Sequence, residues 1–493
     1  MAGHINRLSL GRRRVKLSSG VRGSLRLDVI LFVLLLIVYV WPRDTDLGPN
    51  VNAHLSQALA LAIDGTLAID DYANGSFTST IDWAQSPDGR LYPAKAPGCA
   101  LALAPVMWLM VRVERSIGAD PLTGGTIWRK AILANWILNA FPSALCMVLL
   151  FHVIQRFGLP ANAAFAGTLA VALGTAYHPY ATAFYAHVPA ANLLVVAVAT
   201  IFRPGRRDWL DVIGGMSAGF SVVFDYGAAL AVVACGLALL AVRRQAVVAF
   251  VAGGLVPLAI LLTYHQAVFG SPWATPYQFQ NPIFTPPDGA LFTGPDPRVL
   301  VALLISPFRG LLFYSPVVIA ALPGALHLWR LNVEHGDAML LSIRRAYVAF
   351  SLGTLFAWLL LNASYFTWSG GATTGPRFLI PAVTLLAPLV AAGWLRFPLV
   401  TSILLAWSAL NQFAIAAVWI HASVDYRNPL FETIYPRLWS GEFTRSNLAM
   451  RSGLPGMWSL VPLAAIVTAA LFLAAAEMKR HPSTLPSGSR HPT

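Results

Sequence analysis

Residues 49–72, PNVNAHLSQALALAIDGTLAIDDY, and residues 82–98, DWAQSPDGRLYPAKAPG, follow the first apolar run of this chain, and the rest of the sequence is read from them. They gather Asp70, Asp71, Asp82 and Lys95, with asparagines and tyrosines, in a chain where only 11% of residues are charged. In the first segment Leu55, Ala58, Leu59, Ala62 and Ile63 recur at helical spacing, while Asn52, Ser56 and Gln57 fall elsewhere. This pattern predicts an amphipathic helix lying on a membrane interface and ended by Asp64-Gly65. The polar cluster itself fits either a reaction centre at the membrane surface or an ordinary solvated loop.

Composition sets the context. Of 493 residues 57% are hydrophobic, and the mean hydropathy is +0.63, which indicates a polytopic membrane protein. The net charge of +13 arises from short basic clusters between apolar runs. Such clusters are cytoplasmic anchors under the positive-inside rule, and no nucleic-acid partner is expected. Cys99, Cys146 and Cys235 are far apart in or beside apolar segments, so neither a disulfide framework nor a metal motif is implied. The basic arm, residues 1–27, precedes an apolar run without a small-residue cleavage site, which predicts an uncleaved anchor with a cytoplasmic N-terminus. The Pro/Ser-rich residues 479–493 read as a disordered cytoplasmic tail. Residues 28–478 then form one transmembrane domain whose first outer loop is 43–97.

Thirteen apolar runs lie between residues 28 and 476. A crossing of the ~30 Å hydrocarbon core takes about 20 residues. Basic clusters at Arg203/Arg206/Arg207, Arg243/Arg244, Arg330 to Arg345, Arg396 and Lys479/Arg480 all read as cytoplasmic, and working back from Arg203 puts Arg156 inside. An odd number of crossings cannot leave both ends in the cytoplasm. The run 97–113, which follows Pro97-Gly98 and contains Pro105, is the one expected to lie against or dip into the outer face. About twelve crossings are predicted, in an all-α polytopic integral membrane protein.

With that topology the unusual polar segments share the outer side: His178 and His187, Asp225, Phe269-Gly270-Ser271-Pro272, Ser306-Pro307-Phe308-Arg309-Gly310, Trp368-Ser369-Gly370-Gly371 and Gly375-Pro376-Arg377. Asp225, flanked by apolar helices, is costly unless paired or wet. Arg309 and Arg377 follow Pro- or Gly-rich turns, where a phosphate can approach the backbone closely. Cationic groups beside apolar helices suit a lipid phosphate whose tail lies in the bilayer. A nearby carboxylate suits activation of an acceptor hydroxyl while the arginines stabilise the departing phosphate. These parts describe glycosyl transfer from a polyprenyl-phosphate sugar.

The segments Pro49-Asn50-Val51-Asn52, Gly65 to Tyr72, Tyr92 to Gly98, Phe-Gly-Ser-Pro, Ser-Pro-x-Arg-Gly-Leu and Gly-Pro-Arg-x-Leu, in this order, resemble a bacterial group of the GT-C superfamily of polytopic glycosyltransferases. The resemblance implies a bundle of about twelve transmembrane helices with juxtamembrane helices on the outer face. It also implies a polyprenyl-phosphate-linked sugar donor and an active site at the periplasmic face of the bacterial inner membrane, with both termini cytoplasmic. The acceptor class, whether glycan, lipid or protein, is left open. The superfamily's catalytic base is an aspartate of the first outer loop. Asp82 and Asp70 lie in matching segments and rank above Asp46 and Asp44. By the same resemblance Lys95, Arg309 and Arg377 hold the donor phosphate, with His187 and Asp225 as further contacts. Asn50, Asn52, Tyr72 and Tyr92, within the matching segments, are expected to bind substrate. Some relatives need a divalent metal and others do not, and no ligand spacing here specifies one. Residues 269–300 and 422–455 are the candidate acceptor-binding loops. The rival function is a transporter or flippase of lipid-linked sugars, for which polar residues near the bilayer midplane and internal repeats are expected instead.

Overall fold

The computed structural model describes residues 19–43, 47–205, 207–331 and 338–480. Most of the basic arm (1–18), Asp44 and Asp46, Arg206, residues 332–337 and the tail from 481 lie outside the described residues, whereas residues 19–27 and Lys479-Arg480 belong to the helices Ser19–Val40 and Val461–Arg480. The protein is an all-α, polytopic integral membrane protein. Its only sheets among the described residues are two two-stranded pairs, Pro42–Arg43 with Ser446–Asn447 and Trp83–Gln85 with Leu91–Pro93.

Among the described residues five helical stretches are long and apolar enough to span a membrane: Gly124–Arg156, Tyr226–Phe269, Ala338–Ala363, Pro398–Val418 and Gly456–Arg480. A sixth is the pair Arg377–Thr384 and Ala387–Arg396, bent by 67°. These stretches are not a count of crossings, because several of the expected apolar runs form shorter or joined helices. The apolar runs at 162–177 and 188–202 form helices of only 14 and 15 residues, Ala161–Gly174 and His187–Ile201. The runs at 227–242 and 246–268 join in one 44-residue helical stretch. A straight helix of that length would be about 66 Å long, but Arg243, at φ −147° and ψ 62°, breaks it. The run 97–113 forms the helix Gly98–Ser116, which carries Pro105 internally and is not among the candidate spans among the described residues.

Small residues let the helices approach closely, as membrane packing requires where no hydrophobic force distinguishes helix from lipid. The helices Asp208–Phe224 and Val247–Phe269 meet at Gly215 and Gly253. A Cβ at Gly215 would fall 1.8 Å from the Phe250 carbonyl oxygen, and one at Gly253 would fall 2.0 Å from that of Val212. Gly215→Val is therefore expected to force these helices apart and lower stability by about 3 kcal/mol or more. A thermal-unfolding midpoint within about 2 °C of wild type would contradict that packing.

Contacts between helix ends orient the bundle. Arg156 donates to the Ala199 carbonyl at 2.9 Å, and Arg344 donates to the Phe157 carbonyl at 2.8 Å. Arg203 and Arg243 share the buried Asp211 at 3.2 and 2.9 Å. Four basic positions from separate segments thus lie at one end of the bundle. His187 opens the helix that runs to Ile201 at this end, and Asp225 follows the helix that begins there at Asp208. Both therefore stand at the opposite end, where the segment 47–97 folds.

Candidate functional site

The helix Pro49–Ile63 forms as its sequence predicts, with Asp64 as C-cap and Gly65 at φ 68° beyond it. It is buried along most of its length rather than lying on an interface, because its polar side chains find partners. Asn52 Nδ2 donates to the Ser79 carbonyl at 2.8 Å, and Ser56 Oγ donates to that of Thr78 at 3.1 Å. Gln57 Nε2 donates to the Leu67 carbonyl and to Tyr264 Oη, both at 3.0 Å.

The hairpin that follows brings together two charges thirteen positions apart. Pro87-Asp88-Gly89 supplies the turn, with Gly89 in the left-handed region at φ 86°. The register pairs Trp83 with Pro93, so Asp82 and Lys95 flank the open end of the two strands. Their charged atoms, Asp82 Oδ2 and Lys95 Nζ, are 3.1 Å apart. Asp82 is fixed further by its backbone, whose N–H donates to Thr80 Oγ1 at 3.0 Å and whose carbonyl accepts from Ala94 at 2.9 Å.

This pair opens onto a cavity of two adjoining chambers, about 260 and 150 Å³, which share Asn50, Lys95, Tyr277, Tyr365, Arg377 and Phe378 on their walls. The wider chamber adds His54, His187, Asp225, Trp358 and Asn362. The narrower one adds Asp82, Gln280, Thr367, His421 and the backbone of Gly370 to Thr373.

Arg377 stands where the chambers meet and is 7% exposed. Its guanidinium lies 5.3 Å from the Tyr185 ring centre and 5.1 Å from that of Phe378. No carboxylate pairs with it among the described residues, and its Nε and Nη1 are buried without a hydrogen-bond acceptor. A buried cation in this condition is expensive unless an anion completes it. Lys95 already faces Asp82, and Asp225 is engaged by His187 and the Gly227 amide, so neither carboxylate is paired with Arg377. His54, 2% exposed, is kept neutral at physiological pH. Burial, and then the charge of Lys95, push its pKa down to about 3 against the opposing pull of Asp82.

The candidates named from sequence divide clearly. Asp82, Lys95, Arg377, Asn50, His187 and Asp225 all line this cavity. Asp70 does not: its carboxylate accepts from Arg90 Nε at 3.1 Å and from the Leu91 N–H at 2.8 Å, tying down the hairpin. Arg309 is fully buried behind the cavity wall, and its guanidinium donates to the carbonyls of Ser369, Phe308 and Gly371 at 2.9, 2.9 and 3.0 Å. With these donors engaged, the contact Arg309 makes is with the glycine loop that faces the narrower chamber, and not with the cavity. Asn52 is engaged as described above. Tyr72 donates to Asp64 Oδ2 at 2.5 Å, and Tyr92 packs against Phe269 in a separate small apolar cluster.

Sequence reading missed His54, Tyr185, Trp358, Tyr365 and His421. His54 was legible as the one titratable residue inside the first helix. The others sit at helix ends or in aromatic runs that carry no distinctive spacing. Among the described residues no group of three or more His, Cys, Asp or Glu side chains is placed to hold a metal ion. The three cysteines are buried and unpaired.

No protein-family model matches the chain, and no curated protein matches it. Among solved structures it is similar to ArnT from Cupriavidus metallidurans bound to undecaprenyl phosphate, at 13% identity over 93% of this chain and 76% of that one, with a TM-score of 0.49. It is also similar to the oligosaccharyltransferase AglB from Archaeoglobus fulgidus in complex with an inhibitory peptide and a dolichol-phosphate, at 12% identity over 85% of this chain and 58% of that one, with a TM-score of 0.43.

Proposed function

We propose that this protein is a GT-C-type membrane glycosyltransferase that moves a sugar from a polyprenyl-phosphate donor to an acceptor at the outer, periplasmic face of the bacterial inner membrane. The observation that carries the reading is the buried Arg377, its Nε and Nη1 without acceptors, beside Lys95 on a cavity lined also by aromatic rings and by Asp82 and Asp225. Two cations on one cavity suit the phosphodiester of such a donor, whose negative charge grows as the sugar leaves and a phosphate monoester remains. Rings of Tyr277, Tyr365, Trp358 and Phe378 suit the faces of a sugar and the start of a lipid chain. Asp82, ion-paired with Lys95, is the essential carboxylate beside the donor phosphate, and Asn50 contacts substrate next to it.

The gathering of charges at one end of the bundle also favours this reading over a transporter, which needs them near the midplane. The deciding experiment incubates the purified full-length protein with undecaprenyl-phosphate-linked sugars and follows undecaprenyl phosphate release. Release that depends on an added acceptor fraction is expected. Transport of these lipids across sealed vesicles without release, or full activity in Asp82→Asn, would sink the assignment.

A further inference from the structure

The wider chamber holds a second polar pair. Asp225 Oδ2 stands 2.7 Å from His187 Nδ1, and Asp225 Oδ1 accepts the Gly227 N–H at 3.0 Å. With one oxygen on the ring and the other on the backbone, Asp225 fixes the imidazole. Nδ1 carries the proton toward the carboxylate, and Nε2 keeps its lone pair. Tyr185 stacks on the His187 ring at 6.5 Å, and Phe378 meets it edge-on at 5.5 Å, which holds the ring plane. Nε2 has no hydrogen-bond partner among the described residues and is the ring nitrogen left for the chamber that His187 lines. The carboxylate of Asp82, in contrast, is engaged by Lys95 at 3.1 Å. The other charged or titratable groups around His187 are Arg377, Lys95 and His54. The two cations oppose protonation of His187, and Asp225 favours it.

We infer that His187, oriented by Asp225, takes the proton of the acceptor hydroxyl, while Asp82 positions Lys95. This inference rests on the glycosyl-transfer reading above and divides between two pairs the work that sequence gives to one aspartate. As the acceptor oxygen bonds to the anomeric carbon of the sugar, its proton passes to His187 Nε2. The bond from that carbon to the phosphate oxygen breaks, and its electron pair leaves on the lipid phosphate, whose added negative charge faces Lys95 and Arg377. The proton on His187 is then lost to water. Asp225 acts through His187 and is a positioning residue.

The test uses the full-length protein, undecaprenyl-phosphate-linked sugars as donors and undecaprenyl phosphate as the binding probe. His187→Gln is expected to lower kcat by roughly 10²-fold, as loss of a general base does. It should keep the thermal stabilisation by undecaprenyl phosphate, and the acid limb of the pH–rate profile should disappear. Asp225→Asn should keep that limb but move it to lower pH, because the charge that favours protonation of His187 is gone. His187→Asn serves if the glutamine variant folds poorly. A glutamine variant within about threefold of wild type with an unchanged acid limb would overturn this assignment and leave glycosyl transfer standing. Loss of stability and of probe binding in both His187 variants would show a merely structural role and overturn it as well. A wild-type protein that neither binds undecaprenyl phosphate nor releases it from any donor would overturn both readings.

Discussion

Arg377→Gln is expected to reduce lipid-phosphate release by about 10²- to 10³-fold, the loss found when one preorganised donor to a developing oxyanion is removed. The expectation follows from what the guanidinium lacks. Nε and Nη1 are buried at the junction of the two chambers without an acceptor, and no carboxylate pairs with the guanidinium among the described residues. A structural arginine looks different, as Arg309 shows with carbonyl oxygens on Nε, Nη1 and Nη2. The two should therefore separate in one experiment. Arg309→Gln should lower the unfolding temperature by freeing the Gly370–Gly371 loop. Arg377→Gln should leave stability near wild type or raise it, since an uncompensated buried charge is gone. Arg377→Lys keeps the charge but loses the planar fork, and should recover only part of the activity. If Arg377→Gln lost stability but kept turnover, the phosphate would have to be held elsewhere.

Lys95→Met should be nearly as damaging, and its pattern in combination is diagnostic. The Lys95 and Asp82 side chains are 23% and 12% exposed, so the pair is screened only in part. Removing Lys95 alone leaves the Asp82 carboxylate facing a low-dielectric wall, at a cost of about 1–3 kcal/mol in stability. It also takes one of the two cations from the donor phosphate. Adding Asp82→Asn should return the stability and not the activity, so the two effects separate in a double-mutant cycle of unfolding temperature and lipid-phosphate release. Recovery of activity in the double variant would mean that Lys95 serves only to neutralise Asp82.

Much of the fold is legible in the sequence because membrane burial is governed by composition over long windows. The apolar runs, the helix Pro49–Ile63 with its stop at Asp64-Gly65, and the Ser-Pro-Asp-Gly turn of the hairpin all follow from local rules. The crossing count was less legible, since the bend between Thr384 and Ala387 and the break at Arg243 depend on packing between helices. The first helix shows the same limit. Its apolar stripe reads as interfacial, yet Asn52, Ser56 and Gln57 are buried because carbonyls of a later loop meet them.

The site divides along the same line. Sequence by itself determined that scarce charges cluster after the first apolar run and that Arg377 follows a glycine-proline turn, because charge is costly in an apolar chain wherever it is placed. It set Asp82 only just ahead of Asp70 and did not separate Arg377 from Arg309, since each pair shares residue type and a similar setting. The tertiary structure separates their surroundings through hydrogen bonding. Asp70 is held by Arg90 and the Leu91 amide and Arg309 by three carbonyls, whereas Asp82 and Arg377 face a shared cavity. The pairing of His187 with Asp225, 38 residues apart at the ends of two helices, likewise exists only once those helices pack side by side.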